Sequence, residues 1–177
     1  DRLLSRYIDG GRTETNVLVI LQAYFRSILD REGKGDRYKH FFYGHGAWGS
    51  GGRFRIYKEL VRQGMLTAEE QTRFKDIVRE SLSRREPYAK AERSANNRPY
   101  GNGGVAIALR LFPDLPQVTH HQRWLDALWR ELSDYGDTTE TNYYPYGPIY
   151  LDGLLDMAEG MGKLNSERAF LHAHANR

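Results

Sequence analysis

The sequence predicts an all-α protein in which antiparallel helical hairpins form a single helical domain over residues 1–177. Three observations support this. Apolar side chains recur at the helical spacing of three and four residues along most of the chain. Gly and Pro punctuate the pattern at intervals typical of helix ends. No segment shows the alternation of apolar and polar residues that marks a strand, so we expect an array of αα-hairpins.

Apolar stripes mark three helices in the first half of the chain. One helix is predicted over about 14–31, where two glycines then end it, and another over about 53–64. Thr67 and Glu70 have the spacing of a capping box, in which each side chain satisfies an exposed backbone amide of the other residue. The third helix starts there and is predicted to run to about Arg85.

The second half adds two or three helices, for a total of five or six. A short apolar helix is predicted over 105–112, and the chain's longest stripe predicts another over 118–135. Pro148 suits the first turn of a last long helix.

Composition and charge restrict the partners of the chain. It has no cysteine, and no apolar run approaches the ~18 residues of a membrane-spanning helix. Residues 1–99 carry 20 Lys and Arg against 13 Asp and Glu, whereas residues 100–177 carry 6 against 10. The basic half either attracts an acidic polymer or faces an acidic neighbour. Its basic residues are scattered and no recognition motif is present, so we predict no nucleic-acid partner and no membrane partner.

A glycine-rich segment, residues 41–52, is the first of three segments that break the helical pattern. Five glycines in twelve residues let the backbone approach a ligand closely. His45 and Trp48 lie among them and are candidate substrate-binding residues. The indole of Trp48 provides a flat platform for a sugar ring, or it plugs the end of the core.

The second segment, residues 94–104, contains Asn96, Asn97, Arg98 and Tyr100. Amide donors beside a forked guanidinium are suited to binding a carboxylate. Asn and Gly are also common in turns, which is the alternative explanation. The glycines do not form a phosphate-binding loop, because no Gly-Lys-Ser/Thr sequence follows and no strand precedes them.

The third segment, residues 135–150, is the most informative. It contains five tyrosines, and the two prolines between them restrict the backbone. Packing alone would be served by Phe, so the hydroxyl groups suggest hydrogen bonding or proton transfer. The candidates are Asn142, Tyr143, Tyr144 and Tyr146.

The segments Asn-Asn-Arg-Pro-Tyr-Gly-Asn (96–102) and Glu-Thr-Asn-Tyr-Tyr-Pro-Tyr-Gly (140–147) resemble those of the α/α-toroid polysaccharide lyases. The resemblance covers mainly residues 94–160. It implies a partial (α/α) toroid and cleavage of a uronic-acid polysaccharide by β-elimination, without a cofactor or metal. The chain supplies about half of a toroid, so a missing domain or subunit would complete the cleft. A lyase of this kind would be secreted or periplasmic, although no signal peptide is present at Asp1.

The resemblance also implies roles for particular residues. Asn97 would neutralise the uronate carboxylate, with Arg98 beside it. Tyr144 would be the base or acid, with Tyr143 and Tyr146 as rivals, and His120 or His121 at the start of the 118–135 helix could assist as base. A tyrosine with an ordinary pKa of ~10 is a plausible base only if a nearby cation lowers that pKa. The remaining candidates would bind substrate: His45, Trp48, Asn96, Tyr100, Asn142 and Tyr143.

Two other function classes remain open. A helical glycoside hydrolase would use a carboxylate pair drawn from Asp137 with Glu140 or Asp152. A non-catalytic carbohydrate-binding module would use Trp48 and the tyrosines as stacking platforms. We predict no metal site, because His172 and His174 are two residues apart and do not share a helix face.

Overall fold

The computed structural model describes residues 2–12, 14–32, 42, 50–84, 97–135 and 146–168. Within these residues the chain forms helices and turns with no strand, which confirms the predicted all-α class. The described helices are α1 (Arg2–Asp9), α2 (Thr15–Glu32), α3 (Ser50–Arg62), α4 (Ala68–Arg84), α5 (Asn97–Leu111), α6 (Val118–Tyr135) and α7 (Tyr146–Gly160). None of them is long and apolar enough to cross a membrane.

Local sequence explains most helix ends. The capping box is present: the Thr67 amide donates to Glu70 Oε2 at 2.8 Å, and the Glu70 amide donates to Thr67 Oγ1 at 3.1 Å. Gly64 follows α3 with a φ of 67°, and the next amide, that of Met65, donates to Leu60 O at 2.9 Å. This left-handed residue ends α3 close to the predicted position.

The structure differs from the predicted helix pattern in two places. The sequence made no prediction for residues 2–9, which form α1. Helix α5 begins at Asn97 rather than at 105, so residues 97–104, which were predicted as a loop, are helical. Pro99 is tolerated because it lies in the first turn, where its missing amide would have no partner within the helix. Gly103 packs against α7, and that tertiary contact compensates for its low helix propensity.

The helices alternate in direction between two layers. Short turns join α1 to α2, α3 to α4 and α5 to α6, so each pair is an antiparallel hairpin. We call α1, α3, α5 and α7 the first layer and α2, α4 and α6 the second layer. Contacts between α2 and α4 advance together along both helices: Arg26 contacts Glu70 at 2.6 Å, and Arg73 donates to Leu29 O at 3.1 Å.

The same order of contacts continues between α4 and α6. Gln117 donates to Arg79 O at 3.4 Å, and His121 Nε2 lies 3.1 Å from Leu82 O. Helices α2, α4 and α6 are therefore parallel to one another. In the first layer, Gly51 and Arg55 of α3 contact Asp156 and Glu159 of α7 in the same order, so these helices are parallel too. Closure of this array into a toroid stays a prediction.

The core lies between the two layers. Its centre is an aromatic cluster in which the Phe74 ring lies 4.7 Å from that of Tyr57, 4.9 Å from that of Phe25 and 5.6 Å from that of Phe54, measured between centroids. Phe42 is buried against Phe54 with stacked rings 6.1 Å apart. Phe42 thus packs on the first turns of α3.

Candidate functional site

Helices α5 and α7 approach each other more closely than side chains would allow. A Cβ atom added at Gly153 would lie 2.4 Å from the backbone nitrogen of Tyr100, and one at Gly160 would lie 2.2 Å from the carbonyl carbon of Ala106. These neighbours are backbone atoms and cannot move aside. Tyr100 lies opposite Gly153, and Ala106 lies opposite Gly160. Because both residue numbers increase together, the two helices are parallel and in direct backbone contact.

This parallel packing brings the starts of α5 and α7 to the same end of the array. Tyr146 is seven residues before Gly153 and Asn97 is three before Tyr100. The difference of four residues corresponds to about 6 Å along the helix axes. Their lateral separation falls at or below the usual ~8–10 Å for packed helices. The backbones of Asn97 and Tyr146 therefore begin neighbouring helices at one end.

The three segments with the predicted chemistry all connect to this end. Residues 33–49 join α2 to α3, residues 85–96 join α4 to α5, and residues 136–145 join α6 to α7. Each connection leads from the end of a second-layer helix to the start of a first-layer helix. The short turns 10–14, 63–67 and 112–117 lie at the opposite end. We call the first of these ends the loop end.

A pocket of about 650 Å³ lies near the loop end, among α1, α2, α3, α5 and α7. This volume is in the range of small-molecule sites, which combine apolar walls with a few polar groups. The apolar part of the wall comprises Leu3, Ile20, Leu21, Ile56 and Leu155. The polar part comprises Tyr24, Arg53, Arg55, Tyr100, Asp152 and Asp156, with Gly52 between.

Arg55 and Asp156 form the polar contact of this wall that joins α3 to α7. Arg55 Nη2 donates to Asp156 Oδ1, and it also donates to Glu159 Oε2 at 2.6 Å. Asp156 has only 9% of its surface exposed. A Cβ atom at Gly51 would overlap the carboxylate of Asp156, so a glycine at the start of α3 makes room for it. The contact links the basic first half of the chain to the acidic second half.

Burial and charge shift the two pKa values of this contact. Burial raises the pKa of Asp156 above its usual range, the Arg55 guanidinium opposes that shift, and nearby Glu159 and Asp152 reinforce it. Burial tends to lower the pKa of Arg55, but Asp156 and Glu159 outweigh burial and the pKa is raised. Arg55 is thus held as a cation, whereas Asp156 holds a proton more readily than an exposed aspartate does.

A second arginine of the wall, Arg53, links the end of α2 to the start of α3. Arg53, at the start of α3, is buried and lies 3.9 Å from the carboxylate of Glu32, the last residue of α2. Residues 33–49 leave α2 and enter α3 at this ion pair. The predicted ligands His45 and Trp48 belong to this connection and lie outside the described part of the chain.

The predicted site residues differ in how far the structure describes them. Tyr100 lies on the pocket wall, in the first turn of α5. Asn97, Arg98 and Tyr146 are described as helical backbone, but their side chains are outside the described residues. The remaining loop candidates also lie outside them: His45, Trp48, Asn96, Asp137, Glu140, Asn142, Tyr143 and Tyr144. The pair His172 and His174 lies outside them as well.

His121 is not on the pocket wall. Its ring is 4% exposed, faces α4, and has Nε2 within 3.1 Å of Leu82 O. This contact links the two second-layer helices, and the structure does not bring His121 together with Tyr100. Its assignment as a base stays a prediction.

Sequence reasoning missed most of the pocket wall. Ile20 and Tyr24 fitted the apolar stripe of α2 but are 53% and 43% exposed, because they face the pocket. Arg53, Arg55 and Asp156 were not candidates, and Asp152 appeared only in the hydrolase alternative. A signal was present: Asp152, Asp156 and Glu159 are spaced four and three residues apart in an otherwise apolar helix, which places three acids on one face.

No family model, no curated protein and no solved structure matches this chain.

Proposed function

We propose that this chain cleaves a uronic-acid-containing polysaccharide by β-elimination. The observation that carries the proposal is the parallel start of α5 and α7. The first residues of these two helices, Asn97 and Tyr146, lie at one end of the array, and Tyr100 in the first turn of α5 lines the pocket. We infer that the amide, guanidinium and phenol groups of the two segments that lead into these helices meet there. Residues from separate connections can therefore act on one sugar, as the reaction requires.

The reaction needs a carboxylate-neutralising group and proton transfer. The base removes the proton from C5 of the uronate, and that electron pair forms the double bond between C4 and C5. The C4–O bond breaks, and the acid protonates the departing glycosidic oxygen. Asn97 and Arg98 would stabilise the negative charge that develops on the carboxylate side in the transition state.

We assign proton transfer to Tyr144 or Tyr146, with Tyr143 as a rival. The buried ring of His121 already contacts the Leu82 carbonyl and does not border the pocket. A guanidinium such as Arg98 would lower the pKa of a neighbouring phenol and make it a more effective base.

The test is a screen of alginate, glucuronan, ulvan and glycosaminoglycans for rising ultraviolet absorbance, which reports the unsaturated product. On the active polymer, Asn97→Ala and Tyr144→Phe should each lower kcat/KM by about 10²–10³, the usual cost of removing one transition-state hydrogen-bond donor. Helicity and Tm should stay nearly unchanged. Asn16→Ala on α2 and Tyr57→Phe in the aromatic cluster are the matched controls. Activity in both site variants, or no absorbance with any polymer, overturns the proposal.

A second candidate is glycoside hydrolysis, which the acids of the pocket favour. Asp156 has a raised pKa, as a general acid needs, and Asp152 lies one helical turn away on the same wall. Cβ atoms at this spacing are about 5–6 Å apart. The products distinguish the two reactions: hydrolysis releases reducing ends without ultraviolet absorbance.

A further inference from the structure

The charges of the pocket wall are already paired, with one exception. Arg53 contacts Glu32, and Arg55 contacts both Asp156 and Glu159. Asp152 is exposed on the wall, and it makes no ion pair with another residue in the part of the chain that the structure describes. The two arginines are therefore neutralised before any ligand binds, and a carboxylate remains.

The charged residues of the wall are Arg53, Arg55, Asp152 and Asp156, and the two arginines also contact Glu32 and Glu159. Together these are two guanidinium groups and four carboxylates. Their net charge is −2 when all are ionised. Arg31 also donates to Glu32 at 3.0 Å, and counting its guanidinium leaves a net charge of −1. A uronate carboxylate that entered this pocket would meet no available cation among these groups and would be repelled by Asp152.

The remaining wall suits an uncharged sugar ring. Tyr24 and Tyr100 contribute aromatic rings that carry a hydroxyl group, and Leu3, Ile20 and Leu155 add apolar surface for the C–H groups of a pyranose. Carboxylates accept hydrogen bonds from sugar hydroxyls, and Asp152 and Asp156 offer two such acceptors one helical turn apart. The volume of about 650 Å³ leaves room for a ring and its water.

We propose that this pocket is a subsite for a pyranose unit that bears no acid group. The inference rests on the proposed function, and it specifies the substrate: a polymer in which an uncharged sugar lies next to the uronate. The uronate itself would bind outside the pocket, towards the start of α5. By excluding acidic sugar units, the pocket then selects where along the polysaccharide cleavage occurs.

The test compares trisaccharides that differ only in the oxidation of C6. The pairs are cellotriose with the glucuronate trimer, mannotriose with the mannuronate trimer, and galactotriose with the galacturonate trimer. Binding to the ¹⁵N-labelled chain is measured from the amide shifts of Gly52, Tyr100 and Asp152. In at least one pair the neutral sugar should bind about tenfold more tightly than its acid, because the acid adds a like charge beside Asp152.

Asp152→Asn should reduce this preference for the neutral sugar severalfold, since it removes the unpaired carboxylate and keeps the size of the side chain. Asp76→Asn on α4 makes the same change of charge away from the pocket and should leave the preference unchanged. The proposal is overturned if the acid binds as tightly as the neutral sugar in every pair, if no trimer shifts these amides, or if both variants behave alike. Ultraviolet absorbance of the same samples reports elimination separately, so failure of the lyase proposal is seen independently of binding.

Discussion

The interface between the two layers around α3 and the interface between α5 and α7 within the first layer are built in opposite ways. Around α3, large rings separate the layers: Phe25, Phe54, Tyr57 and Phe74 fill the space between α2, α3 and α4. Between α5 and α7, glycines remove side chains altogether and the backbones touch. The aromatic region contributes stability by burying apolar area. The consequence of the glycine contact is geometric: it sets the distance between the starts of two helices.

Stability therefore depends mainly on the aromatic cluster, whereas the geometry of the site depends on the glycine contact. A change in the aromatic cluster should weaken the whole domain without altering the spacing at the loop end. A change in the glycine contact should push α5 and α7 apart and so disturb the pocket, where Tyr100 lies beside Gly153. Two substitutions test this contrast, and a third compares the two ends of α3.

The largest loss of stability is expected for Phe74→Ala. Phe74 is fully buried and contacts four other rings, so its truncation leaves a cavity and should cost about 3–5 kcal/mol of unfolding free energy. Urea unfolding measures the loss. Phe74→Leu, which keeps most of the volume, is the control and should cost clearly less. Equal losses in the two variants would mean that the cavity is not the cause.

The next effect concerns Gly153→Ala. The added methyl group would meet backbone atoms of Pro99 and Tyr100, so we expect a loss of about 1–3 kcal/mol together with altered amide shifts around the pocket. Gly64→Ala is the control: no atom lies within 4 Å of the added Cβ, and only the positive φ of 67° opposes it, at a cost of about 1 kcal/mol. If Gly153→Ala costs no more than Gly64→Ala, the backbone contact between α5 and α7 is not as close as described.

The smallest effect distinguishes the two ends of α3 by pH. Bonds from Arg62 lower the pKa of Glu59 from 4.5 to about 2, whereas burial raises the pKa of Asp156 at the loop end. Because its pKa is lowered, ionised Glu59 stabilises the fold at pH values above its pKa in the unfolded chain. This contribution is lost as the pH falls through its pKa in the folded chain.

Glu59→Gln should therefore cost about 1 kcal/mol at neutral pH, and the difference from the unmodified chain should shrink between pH 4.5 and about 2. Thermal unfolding across this range measures it. Glu69→Gln removes the same charge from an exposed site on α4 and is the control. A loss from Glu59→Gln that does not change with pH would contradict the assigned pKa.

Much of the fold follows from local sequence. Helix α6 has the predicted bounds of 118–135, and α2 and α4 differ from their predicted bounds by about one residue. These helices carry continuous apolar stripes and recognisable caps, so short-range chemistry is enough to define them. The same reasoning failed at α5, where low helix propensity from residue 97 to 104 is outweighed by packing against α7.

The candidate site, like the fold, could be predicted only in part from the sequence. The sequence alone indicated which segments carry amide, guanidinium and phenol groups, since unusual composition between helices is visible without coordinates. Only the tertiary structure brought the starts of α5 and α7 to one end, buried Asp156 against Arg55, and turned Ile20 and Tyr24 towards a pocket. Helical periodicity is a property of neighbouring residues, whereas a pocket depends on the distance between helices far apart in the chain. Here that distance is set by the absence of side chains at Gly153 and Gly160, which becomes meaningful only when the opposing backbone is known.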